Sequence, residues 1–160
     1  MDNVEVKDSG IKGKGLFATR DFAVGNKIYE YGPGRRIKRS EVTSLTEDEQ
    51  DHLDVFNPDT YELMLPPASC VNHSCDPNMI EKGRVAYALK PVKKSEELTA
   101  DYRIRAYDDW QMECRCGSKN CVGVVTGNFF SLPPELQKKY LSYAPEFIQE
   151  KYKRRQSQKS

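Results

Sequence analysis

Five cysteines carry the densest chemistry in this 160-residue sequence: Cys70, Cys75, Cys114, Cys116 and Cys121. The last three fall in the run Cys114-Arg115-Cys116-Gly117-Ser118-Lys119-Asn120-Cys121, a C-x-C-x4-C pattern. An odd count fits poorly with a fully paired disulfide framework. The opening Met1-Asp2-Asn3-Val4 lacks the basic stretch and apolar core of a secretory signal, so the expected setting is intracellular and reducing. Thiols crowded together in such a compartment point to a metal. Zinc takes four soft or borderline ligands at tetrahedral corners, so three clustered thiolates ask for a fourth. Cys75, after His73-Ser74 in a turn-like stretch ending Asp76-Pro77-Asn78, is the natural donor, with Cys70 and His73 as competitors for the place. Four protein thiolates leave no open position for water, so the ion is expected to be structural. It ties the loop near residue 75 to the chain beyond residue 114, turning metal-binding energy into folding energy.

Two further segments bear chemistry only as a pair. Asn72-His73-Ser74-Cys75-Asp76-Pro77-Asn78 is a run of polar turn formers fixed by a proline, which alone reads as a tight loop. Glu96-Glu97-Leu98-Thr99-Ala100-Asp101-Tyr102 alone reads as a strand with an acidic start.

The elements that must position these residues are short. Val4-Glu5-Val6, Leu16-Phe17-Ala18, Lys27–Tyr31, Tyr61–Leu65 and Arg84–Leu89 are predicted strands, punctuated by glycine and proline turns such as Gly32-Pro33-Gly34 and Pro66-Pro67. Ser40 to Phe56 is predicted as one short helix with a frayed end, capped by Ser40 or Thr46. Leu132 to Arg155 is predicted helical in two pieces, started at Pro133-Pro134 and broken at Pro145, with a frayed basic tail over Lys151–Ser160. The fold class expected is mostly β with a C-terminal helical appendage.

Composition bounds the partners. The chain has 25 Lys+Arg against 24 Asp+Glu, a net charge of +1, which argues against a general nucleic-acid binder. The run Lys151-Tyr152-Lys153-Arg154-Arg155 is read as a solvated charge cluster rather than a nucleic-acid site. No apolar run is long enough to span a bilayer.

The order of segments is Gly13-Lys14-Gly15-Leu16-Phe17-Ala18, then Glu30-Tyr31, NHSCDPN, EELTADY and C-x-C-x4-C. In that order, from about Val6 to Gly123, it resembles the SET family of protein-lysine methyltransferases with its post-SET zinc region. With no cysteine-rich module ahead of it, the chain looks like a compact, stand-alone SET protein of the kind found in bacteria and viruses, acting in the cytoplasm, the nucleus or a host cell. The resemblance implies a β-clip-like fold of several small sheets with a pseudoknot, an exception to unthreaded topology. It divides the chain into a SET domain at 1–103 with a helical insert at 40–56, a post-SET zinc region at 104–127 and a helical tail at 128–160.

Site residues follow by matching. Lys14, Gly15 and Leu16 match the loop whose backbone cradles the methionine part of S-adenosylmethionine, where a missing Cβ permits close approach. Asn72 and His73 match the pair that holds the cofactor's amino group and adenine, and Val122 matches a residue closing over the adenine. Tyr102 matches the catalytic tyrosine beside the transferring methyl, and Tyr31 matches a tyrosine lining the lysine channel. Cys75, Cys114, Cys116 and Cys121 are the implied ligands of one structural Zn2+. The implied reaction moves a methyl group to a lysine of a protein, a histone tail or another basic protein being a suitable substrate. Lysine titrates near ~10.4, so an apolar, aromatic channel is needed to favour the free amine. No strong general base is evident, because only His52 and His73 are present and His73 is assigned to the cofactor.

Three departures from the family pattern matter. Ala100 stands where a Phe or Tyr usually limits the number of methyl groups, which implies more than one methyl can be added. Ser69 stands where an arginine often holds the cofactor carboxylate, leaving that role to another group such as Lys14. Gly32-Pro33-Gly34 is one residue longer than the usual turn. These departures keep a second reading open, a catalytically weak, zinc-stabilised interaction module on the same fold. The acidic run Glu47-Asp48-Glu49-Gln50-Asp51 suits a basic peptide but reads more simply as an exposed helix face.

Overall fold

The computed structural model describes residues 2–159. Among the described residues twelve short strands build four small sheets rather than one large one. The central sheet has the order β1 (Val4–Asp8), β2 (Lys14–Ala18), β10 (Glu97–Ala100), β7 (Asn72–His73). β10 therefore enters between two strands made much earlier. It pairs antiparallel with β2 (Leu98 opposite Leu16) and parallel with β7 (Thr99 opposite Asn72, Ala100 opposite His73). This pairing brings the two segments noted in the sequence side by side.

β3 (Lys27–Glu30), β9 (Val85–Ala88) and β8 (Met79–Lys82) form a second sheet. β4 (Arg35–Lys38), β6 (Thr60–Leu63) and β5 (Leu53–Asn57) form a third. A hairpin of β11 (Tyr107–Glu113) and β12 (Val124–Asn128) carries the C-x-C-x4-C loop at its tip. Neither strand of this hairpin was expected from the sequence.

The single helix expected over Ser40–Phe56 is replaced by a 3-10 turn at Arg39–Ser44, the short α1 at Glu47–Asp51 and strand β5. Thr46 does cap α1, in a box with Glu49. Helical spacing of Leu53 and Phe56 misled because Val55, between them, is the buried residue, packing as a strand beside β6. The C-terminal tail also differs: α3 runs unbroken over Glu146–Ser157, so most of the tail expected to fray is helical.

Two apolar clusters explain these outcomes. The first gathers Leu16, Ile28, Met79, Leu98 and Val92 with Tyr29, Tyr31 and Val71 around the central sheets, and Ala100 packs against it. The second joins Ile80 and Ile104 to Phe129, Leu132, Tyr140, Ile148 and Tyr152 from α2 (Pro134–Tyr140) and α3. Ile148 and Tyr152 lie one turn apart and are both buried, so they fasten α3 to the body. No helix among the described residues is long and apolar enough to cross a membrane.

Candidate functional site

The site is organised around Asn72 and His73, buried on β7 at the edge of the central sheet. The Asn72 side-chain amide donates to the carbonyls of Lys12 (3.1 Å) and Lys14 (3.0 Å) and to Glu97 Oε1 (2.9 Å). It thereby holds the turn at Gly13, which sits at φ +50°, against β10. A Cβ on Gly15 would overlap the Glu97 carboxylate, which would have to swing away from Asn72 to admit any other residue. Leu16 is fully buried between Val6 of β1 and Leu98 of β10, so it presents no surface to a ligand. The Lys14 ammonium, 2.6 Å from Asp8 Oδ1, is exposed and paired.

The His73 ring links two centres. Its Nδ1 accepts the backbone N–H of Tyr102 at 3.1 Å, so Nδ1 is unprotonated and the ring proton resides on Nε2, which faces Cys75 Sγ at 3.4 Å. Burial holds its pKa down at about 4 against the favourable charge of Asp101, so the ring is neutral. Both side chains expected to hold the cofactor are thus spent inside the protein. Because Ser74 N donates to Ala100 O, strand alternation turns the His73 backbone N–H and C=O away from β10, toward the sheet's open edge. A donor and an acceptor side by side on an open edge suit the rim of an adenine, so the residues fit S-adenosylmethionine through backbone rather than side chains.

Tyr102 follows β10 and opens the 3-10 turn Tyr102–Arg105. Its hydroxyl donates to the carbonyl of Val71 at 2.6 Å. Burial, with the nearby Glu81 and Glu97 charges, pushes its pKa well above the ordinary tyrosine value, so the hydroxyl keeps its proton. On either side Asp101 and Arg103 form a buried bidentate pair, Nε to Oδ1 at 2.9 Å and a terminal guanidinium nitrogen to Oδ2 at 2.7 Å. The ring meets His73 edge-on at 5.3 Å and Trp110 at 6.4 Å. Trp110 was not foreseen. Asp109 at φ +58° and the register shift between Tyr107 and Trp110 set the indole over Gly127, with the residue still 36% exposed. A lone tryptophan between EELTADY and the cysteine run was the available signal.

Tyr31 makes no ring contact or hydrogen bond with Tyr102 among the described residues; its ring neighbour is Tyr29, 6.0 Å away. Its hydroxyl donates to Glu81 Oε2 at 3.0 Å, and that of Tyr29 lies 3.4 Å from Glu81 Oε1. Glu81 is the second residue the sequence reading missed. Val122 is exposed; its backbone N–H hydrogen-bonds the Cys75 sulfur.

The sulfurs of Cys75, Cys114, Cys116 and Cys121 all lie within 4.8 Å of one another, and those of Cys75 and Cys114 are 3.8 Å apart. Tetrahedral ligands ~2.3 Å from zinc stand about 3.8 Å from each other, so the donor set and its spacing fit one ion. Cys70, the competing thiol, is outside the cluster. Burial raises the Cys75 and Cys114 thiols. Cys116, also opposed by burial, is brought to about 6 by Ser118, whose Oγ is 3.0 Å away, and by backbone N–H groups. Asn120 Nδ2 donates to the Cys75 carbonyl at 3.0 Å, fastening the hairpin tip to the NHSCDPN loop.

Small sheets, the central one with a late strand inserted between two earlier ones, and a thiol cluster closed on the loop beside it define a SET-type architecture. The family model described as the SET domain matches residues 13–103, and the chain belongs to that family. It is similar to "Histone-lysine N-methyltransferase trithorax" of Drosophila virilis, 31% identical over 140 residues. It is also similar to "Histone-lysine N-methyltransferase, H3 lysine-36 specific" of Yarrowia lipolytica (32% over 149) and "Histone-lysine N-methyltransferase 2B" of Homo sapiens (31% over 136). These matches take in 75%, 78% and 74% of this chain but 4%, 18% and 5% of the relatives, so the chain spans only a small part of their length.

Proposed function

We propose that the chain is a protein-lysine N-methyltransferase that uses S-adenosylmethionine, with a histone tail as its substrate. The observation that carries this reading is the fixing of Tyr102: a protonated, mostly buried hydroxyl held by Val71, on a backbone held by His73, beside the open edge of β7. The names of the relatives support the histone as substrate.

In this reading the β7 edge and the exposed turn at Gly13-Lys14 hold the methyl donor, which supplies an electrophilic carbon on a sulfonium. Tyr102 cannot serve as a base while its proton is retained, so it orients the incoming amine and the methyl through its oxygen. The rings of Tyr102, Trp110 and Tyr31 exclude water and favour the free amine over the ammonium. Alignment of nitrogen, carbon and sulfur contributes ~7–11 kcal/mol. Ala100 leaves room for a methylated amine to turn and react again. The zinc-bound hairpin, 104–127, holds Trp110 in place, and the helical tail, 128–160, braces the SET domain, 1–103.

Incubation with labelled S-adenosylmethionine, core histones and cell extract, followed by mapping of the labelled lysine, tests the proposal. Tyr102→Phe is expected to fold and bind the cofactor while losing most turnover. Near-normal turnover in that variant removes Tyr102 from the mechanism, and saturable cofactor binding without transfer to any protein favours a non-catalytic interaction module.

A further inference from the structure

Glu81 lies on β8, on the same face as fully buried Met79 and opposite Ile80, so its carboxylate points toward the first apolar cluster. It meets there the hydroxyls of Tyr31 (3.0 Å) and Tyr29 (3.4 Å). Val71, whose carbonyl anchors Tyr102, and Ala100 border the same cluster. Arg105 and Asp54 complete the group, Arg105 Nε donating to Asp54 Oδ2 at 2.8 Å. Arg105 also acts electrostatically on the Glu81 carboxyl, so two acids share one guanidinium that is already hydrogen-bonded to Asp54. Arg84 stands 6.0 Å from the Tyr31 ring but is spent on Glu62 at 2.8 Å. With both acids ionised the enclosed cluster carries one negative charge in excess, which is costly unless a cation joins it. Glu81 keeps some accessible surface although protein encloses its carboxyl deeply, as a group on a channel wall does.

We propose that Glu81 is the site that receives the target lysine's ammonium and accepts its proton, with the Tyr31 hydroxyl as relay. This rests on the methyltransferase reading and supplies the base that the sequence did not reveal. One ammonium N–H bond breaks as its proton passes to Tyr31 Oη, while the Tyr31 proton passes to Glu81 Oε2. The nitrogen keeps the freed electron pair and attacks the sulfonium methyl, and the C–S pair leaves on sulfur. Glu81 returns its proton to water, and the methylammonium product can lose a proton the same way before a second transfer. Burial raises the Glu81 carboxyl; Arg105 opposes this, Asp54 adds to it, and the two tyrosine hydroxyls oppose it. Activity should therefore rise with pH as Glu81 ionises rather than follow the titration of free lysine near ~10.4.

The test compares wild type with Glu81→Gln, which keeps size and hydrogen bonding. Two quantities are followed: kcat/KM between pH 6 and pH 10, and binding of a lysine peptide against its norleucine counterpart. Expected at pH 7.5 is a loss of about 100-fold in kcat/KM, shrinking toward pH 10, and loss of the preference for lysine over norleucine. A constant wild-type to variant ratio across pH, with lysine preference intact, overturns the proposal. If Glu81→Gln does not fold, a wild-type profile that merely follows free lysine overturns it as well, and Tyr31→Phe must reproduce the pH shift. Absence of wild-type turnover on every protein would refute the methyltransferase reading instead, while the peptide comparison still judges the cation site.

Discussion

Arg103→Met offers a severe test of how Tyr102 is held. Asp101 and Arg103 side chains are 1% and 5% exposed and share two hydrogen bonds, of 2.9 and 2.7 Å. Methionine roughly preserves the stem but leaves the Asp101 carboxylate with the Arg103 backbone N–H, 3.0 Å away, as its nearest donor. Removing one partner of a buried ion pair costs about 3–5 kcal/mol, mostly the penalty of an uncompensated charge. At about 2–4 °C per kcal/mol for a domain of this size, the midpoint should fall by roughly 6–20 °C. Urea and thermal unfolding, followed by Trp110 fluorescence and circular dichroism at saturating zinc, would measure it. Zinc must be held constant because binding to the folded state shifts apparent stability. The double variant Asp101→Asn/Arg103→Met should lose less than the sum of the single variants, since no charge is then left stranded. A cost below about 1 kcal/mol for Arg103→Met, or strict additivity, refutes the claim that this pair sustains the Tyr102 turn.

Other outcomes can be checked directly. Cys116→Ser should weaken zinc retention in chelator competition and lower the thermal midpoint, and a chelator should unfold the hairpin tip of the wild type first. Ala100→Phe should restrict the product to monomethyl-lysine in mass spectrometry, whereas the wild type continues to higher states. Ile148→Ala, at a fully buried position, should cost about 2–5 kcal/mol in urea unfolding and loosen α3. Gly15→Ala should weaken S-adenosylmethionine binding in calorimetry, because its Cβ displaces the Glu97 carboxylate that Asn72 uses.

Much of the site was legible because chemistry narrows the residue types. Clustered thiols announced a set of groups able to hold a metal, and NHSCDPN with EELTADY is a pairing with few other uses. The local periodicities of strand and helix were less reliable. Val55 shows why: in Ser40–Phe56 the spacing of apolar residues suits a helix, but β6 supplies a strand partner that no local pattern reveals. The basic run at Lys151 shows the same limit. Lys151 hydrogen-bonds the Tyr107 hydroxyl and lies over its ring, and Arg155 stacks on Phe130 at 3.7 Å, so part of an apparent charge cluster serves packing.

By itself the sequence determined the family, the four thiols and the two segments that meet at the site, since residue identity and order suffice for these. Tertiary structure alone decided that His73 turns its ring nitrogens to Tyr102 and Cys75, leaving its backbone at the open edge. It also set Trp110 against Tyr102 and Glu81 beneath Tyr31. Those placements depend on β10 entering between β2 and β7, and on a bulge that rotates a side chain. Such relations between residues far apart in the chain arise only when the sheets close.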